Sequence, residues 1–196
     1  NSWTIAFAQF IKAQERDVLI ADTSLFALRR ARRAGIPVYH GDILDETHDD
    51  HLDMGRYQQL IAATDNDAYN ALVCSELAPE VGHDRVSRMI GVARPGNQRR
   101  GRVLTLAGTP IEEQLDRLLA GWTFGRTKIT EKFTYADFVA RMKASGGDTL
   151  AVVRSSGDLA VFSVQHRPSV DAGDTLWTFV PPDDPKARLE TREGAA

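Results

Sequence analysis

Apolar positions recur at Trp3, Phe7, Phe10 and Ile11, while Lys12, Gln14 and Glu15 fall off that face, so residues 1–14 read as an amphipathic helix. It begins at residue 2 or 3, with Asn1 and Ser2 as N-caps. The pattern then becomes continuous. Val18-Leu19-Ile20-Ala21 is an apolar run that stops at Asp22 and meets the helix-starting Ser24. The helix that follows turns Leu25, Leu28 and Ala31 inward and Arg29, Arg30, Arg32 and Arg33 outward, with Gly35 as its C-cap. Pro37–Asp42 reads as a second strand and Gln59–Thr64 as a third. Asp65 or Asn66 caps the next helix, which buries Tyr69, Leu72, Val73 and Leu77 and is followed by Pro79. Val86–Ala93 is a further strand. Helix and strand alternate strictly from residue 1, which predicts a parallel sheet covered by helices on both faces.

Residue 94 ends this α/β unit, 1–94. Turn formers and arginines without apolar periodicity make residues 95–102 a linker. Residues 103–182 read as a small α+β module. Val103–Leu106 is a short strand, and Thr109-Pro110-Ile111-Glu112 is a capping box with proline at the first helical position. The helix it opens turns Ile111, Leu115, Leu118 and Leu119 inward. Thr123–Glu131 alternates like a strand. Thr134 opens a helix that buries Phe138 and Met142 and ends near Gly146. Thr149–Val153 and Leu159–Val164 form a hairpin, and Thr175–Val180 is the last strand. Little apolar content remains in 183–196, which is expected to be disordered.

Composition narrows the functions open to this pattern. A net charge of −3 gives no global attraction to nucleic acid. The one cysteine, Cys74, excludes a disulfide framework within the chain and reads as a small buried residue in a reducing compartment. No apolar run approaches the ~20 residues that cross a bilayer, so the expectation is a soluble chain. His48 and His51 are spaced to share a metal on a helix, but no third ligand stands at a suitable spacing, so no metal is expected.

The chemistry collects at the strand ends, the edge where open α/β sheets bind ligands. In a dinucleotide-binding unit the second strand ends in a carboxylate that accepts from ribose hydroxyls, and Asp22 stands there. Gly41 permits close backbone approach, and Asp42 either accepts from an adenine amino group or caps the next helix. Thr64-Asp65-Asn66-Asp67 repeats the pattern, though capping accounts for one or two of the four. The phosphate-binding glycine turn lies ~20 residues before the acidic residue. That spacing places it at about Asn1 or upstream, so the first strand and most of the turn are expected to lie outside the chain as given. No serine sits in a nucleophile elbow and no carboxylate pair spans a cleft, so no catalytic residue is assigned.

Three phrases together resemble the TrkA-N (RCK or KTN) nucleotide-binding domain. They are Val18–Ser24, the Gly35-Ile36-Pro37-Val38-Tyr39-His40-Gly41-Asp42 phrase, and Ala62-Ala63-Thr64-Asp65-Asn66-Asp67 with Asn70. More narrowly, the chain resembles the cytoplasmic tail of bacterial sodium/proton antiporters of the monovalent cation:proton antiporter-1 class. Asn1-Ser2-Trp3-Thr4 match the end of the glycine-turn phrase of those tails. The resemblance implies a Rossmann-like fold, a homodimer, attachment to a membrane transport domain, and a cytoplasmic location. It implies regulation of ion flux by NAD(H) or an adenine nucleotide such as AMP or ATP, without catalysis and without nucleic acid. It places the nucleotide contacts on Ser2, Trp3, Asp22, Thr23, Gly41, Asp42, Ile43, Thr64, Asp65, Asn66 and Asp67. Two alternatives stay open on the residues alone: an NAD-dependent oxidoreductase fragment, and an interaction module that no longer binds nucleotide.

Overall fold

Local sequence sets each helix start in the first half. The computed structural model describes residues 1–45, 52–91, 102–103 and 108–182. Helix α1, Ser2–Ala13, opens on Asn1, whose side chain accepts from the Thr4 amide while the Thr4 hydroxyl donates to the Asn1 carbonyl. Strand β1, Ile20–Asp22, follows, and then α2, Leu25–Arg33, capped by Ser24. After β2, Val38–His40, come a 3-10 turn at Met54–Arg56 and β3, Leu60–Ala62. Asn66 caps α3, Asp67–Val81, through the amides of Ala68 and Tyr69. Strands β4, Val86–Arg88, and β5, Arg102–Val103, complete the parallel part.

The expected single parallel sheet is instead two. β1 pairs parallel with β2, and β3, β4 and β5 form a separate parallel set. In the doubly wound order a further strand lies between the two strands that here are β1 and β3. Among the described residues none takes that place, and the two sets remain unjoined. The amino end of α1 reaches across, with Asn1 Nδ2 donating to the Ala63 carbonyl at 2.9 Å.

β5 pairs with β4, so it extends the parallel set rather than opening the second module. That module begins with α4, Ile111–Leu119. Pro110 is its N-cap and makes no side-chain cap bond, so the expected Thr109 capping box does not form; Thr109 Oγ1 instead accepts from Gln114. Strand β6, Thr123–Lys128, then α5, Tyr135–Ser145, follow. The Thr134–Asp137 capping box and the left-handed Gly146 bound α5 as the sequence indicates. β7, Asp148–Val153, β8, Leu159–Val161, and β9, Thr175–Val180, make with β6 an antiparallel sheet in the order β6-β9-β7-β8.

α1 joins the two halves. Trp3 and Phe7 are buried against Phe124, Trp177 and Phe179 of the antiparallel sheet, and Phe124 stacks on Phe179 at 4.7 Å. Gln59 Nε2 donates to the Leu159 carbonyl, and the Leu159 amide donates to Gln58 Oε1, so β8 also docks beside β3. Three leucines expected inward are exposed instead: Leu25, Leu72 and Leu119, the last 84% exposed. Pro79 lies inside α3 rather than after it, in its last turn. Of the linker read at residues 95–102 only Arg102 is described, and it pairs in β5; the rest of it, the His48–His51 pair and the tail from 183 lie outside the described residues. No described helix is long and apolar enough to cross a membrane.

Candidate functional site

Parallel strands deliver their carboxyl ends to one side, and β1 and β2 do this in register, Asp22 beside His40. Asp22 Oδ1 accepts from the Ser24 amide at 2.7 Å, so the carboxylate starts α2 as well as ending β1. Thr23 is exposed, and its carbonyl faces His40 Nε2 at 3.2 Å. Gly41 continues the ladder, its amide donating to the Asp22 carbonyl. A side chain at Gly41 would meet the Tyr39 ring.

Asp42 serves two partners through one oxygen: the Leu44 amide at 3.0 Å and the Tyr69 hydroxyl at 2.6 Å. Burial, the bond to Asp42, and the charges of Asp42 and Asp22 all push the Tyr69 phenol well above its ordinary range, so it stays a donor. Asp42 and Ile43 also line a cavity of ≈ 210 Å³ with Asp45, Glu76 and Glu80. Its acidic rim repels phosphate, and neither Asp22 nor Thr64–Asp67 lines it.

The turn after β3 is held by a residue assigned no role from sequence. Asn70 is fully buried; its Oδ1 accepts from the Thr64 amide at 3.0 Å and the Thr64 hydroxyl at 2.7 Å. Its Nδ2 donates to the Thr64 and Met89 carbonyls. Asn66 is the α3 cap. Asp67 pairs with Arg88, a buried arginine at the end of β4. Gly91 packs against this turn so closely that a Cβ would collide with the Asp65 carbonyl and the Asp67 amide. The sequence offers one signal for these contacts, the Asn that follows Thr64 by six residues; Arg88 and Gly91 have none.

The amino end of α1 closes the group. The Asn1 cap uses the Thr4 amide and its carbonyl takes Ile5, which leaves the Ser2 and Trp3 amides as first-turn donors. Arg30 Nη2 donates to Ser2 Oγ at 2.8 Å and so sets a guanidinium at the same helix end. Asn1 Nδ2, on the Ala63 carbonyl two residues before Asp65, ties the same helix end to the turn after β3. The Trp3 indole itself lies in the aromatic core, so only its backbone faces the group.

The arrangement therefore joins the amino end of α1 to α2 through Ser2 and Arg30 and to the turn after β3 through Asn1 and Ala63, with Asp22 at the start of α2. It offers a carboxylate acceptor, a cation and helix-end amides within one region. Cys74 is buried in α3, and burial pushes its thiol up to about 11, which leaves no thiolate for nucleophilic chemistry. No group of three His, Cys, Asp or Glu able to hold a metal occurs among the described residues.

The model of the TrkA-N domain family matches residues 2–109. A solved structure described as the GsuK RCK domain is 16% identical, with a TM-score of 0.30, covering 88% of this chain and 45% of that one. A second, described as the GsuK channel, is 13% identical with a TM-score of 0.31, covering 91% of this chain and 38% of that one. The chain thus spans less than half the length of these structures. No curated protein matches it.

Proposed function

The chain belongs to the TrkA-N domain family, and from that premise we propose that it regulates a membrane cation transport system by binding NAD(H) or an adenine nucleotide. The observation that carries this reading is Asp22, which ends β1 and starts α2, the helix whose Arg30 meets Ser2 at the amino end of α1. A carboxylate there accepts from ribose hydroxyls, and the Ser2 and Trp3 amides with Arg30 attract the phosphates. Asp42, with Ile43 next to it, lies at the end of the neighbouring strand, on the adenosine side. Asp22 repels a 2′-phosphate, which favours NAD(H), AMP or ATP over the 2′-phosphorylated cofactor.

Regulation follows if the ligand binds two arrangements of a dimer with different affinity and so biases an attached transport domain on the cytoplasmic side. The family membership supports a regulator over an oxidoreductase. A cation/proton antiporter is the transport system that the Asn1-Ser2-Trp3-Thr4 phrase favours. A thermal-shift series with NAD, NADH, AMP and ATP tests the reading. At least one ligand raises Tm, by mass action on the folded state. No shift from any of the four overturns nucleotide sensing.

A further inference from the structure

Helix α2 carries more exposed cationic and apolar surface than its fold requires. At 100° per residue, Leu25, Phe26, Arg29, Arg30, Arg32 and Arg33 fall within an arc of roughly 160°. Leu28 and Ala31 occupy the opposite face and are buried. Phe26 is 74% exposed and Leu25 50%. No carboxylate shares the outer arc. Elsewhere arginines find acidic partners, as in Arg56–Asp17, Arg88–Asp67 and Arg117–Asp148. Arg29, Arg32 and Arg33 have no ion pair among the described residues, although the chain as a whole is negative.

We propose that this face docks on an anionic lipid surface, with Phe26 and Leu25 entering the headgroup region and Arg29, Arg32 and Arg33 pairing with lipid phosphates. Basic residues interleaved with large apolar ones on one helix face are the signature of an interfacial helix. Each arginine gains from the negative surface potential, and Phe26 gains by leaving water. A second copy is a poor occupant, because a two-fold contact would set arginine against arginine. A nucleic-acid backbone would pair the arginines and leave Phe26 and Leu25 without a role. The proposal stands apart from the nucleotide reading, since it uses neither Asp22 nor Arg30.

Flotation of the protein with phosphatidylcholine vesicles, with and without phosphatidylglycerol, tests it. The protein floats with the anionic vesicles, remains behind with phosphatidylcholine alone, and is released by salt. Arg29→Gln with Arg33→Gln weakens binding roughly thirtyfold, and Phe26→Ser roughly tenfold. Circular dichroism shows both variants folded, as fits substitutions at exposed positions, and a Phe26→Trp variant gains a blue-shifted emission on the anionic vesicles. Failure of the protein to float with anionic vesicles at low salt overturns the proposal. So does flotation unchanged in the variants, or light scattering that reveals a dimer lost on Phe26→Ser. Duplex DNA binding that matches vesicle binding and ignores Phe26→Ser overturns it in favour of a nucleic-acid surface.

Discussion

Asn70 Oδ1 accepts two hydrogen bonds from Thr64, amide and hydroxyl, while Asn70 Nδ2 returns one to the Thr64 carbonyl. One buried amide thus clamps the turn that follows β3. Asn70→Ala leaves the Thr64 amide and carbonyl short of their partners, at a cost of roughly 2–4 kcal/mol. Denaturant unfolding checks this. A loss below about 0.5 kcal/mol would show that the turn holds without the clamp.

Asp67 and Arg88 make a paired charge under the same turn, with the arginine side chain 7% exposed. Asp67→Ala strands a buried guanidinium and is expected to cost roughly 3 kcal/mol, whereas Asp67→Ala with Arg88→Met recovers much of it. A double-mutant cycle on unfolding free energy measures the coupling. Additive effects would refute the pairing. Asp67, a candidate for ligand contact in the sequence, thus has a structural partner as well.

Asp148 sets a pH dependence in the second module. Burial raises its carboxyl to about 6; Arg117 at 2.9 Å opposes the rise and Glu113 adds to it. Arg117 also lies over the Trp122 ring at 4.8 Å, so the pair ties α4 to the sheet. The folded pKa lies above the unfolded one. The stabilisation is therefore complete below about pH 4 and is lost as pH rises through about 6, by on the order of 3 kcal/mol. The unfolding free energy of the protein minus that of Asp148→Asn should fall across that window. A flat difference, or one that rises, would contradict the assignment.

How much of this was legible in the sequence follows from which contacts are local. Asn1, Ser24, Asn66 and Thr134 cap their helices because a cap is decided within three residues. Phe138 and Met142 are buried as their spacing indicates. Leu72 and Leu119 follow the same spacing yet are exposed, because periodicity marks a face without saying what covers it. The expected parallel sheet divides because none of the described residues supplies the strand that would join β1 to β3. Arg88–Asp67 and Gly91 against Asp65 are invisible because strands and helices distant in sequence bring them together. Asp22, by contrast, announces its position by ending an apolar run, and it ends β1 and starts α2 as that run indicates.

Asp22→Asn gives the most direct test of the central claim. The amide oxygen can still accept from the Ser24 amide, so α2 keeps its start and Tm stays within a degree or so. Calorimetric titration of NAD, NADH, AMP and ATP then isolates the charge that faces the ribose. The account predicts that the protein binds at least one of these and that Asp22→Asn weakens it by roughly 1–3 kcal/mol, about five- to more than a hundredfold. Binding to Asp22→Asn with undiminished affinity, or no binding by the protein itself, would contradict it.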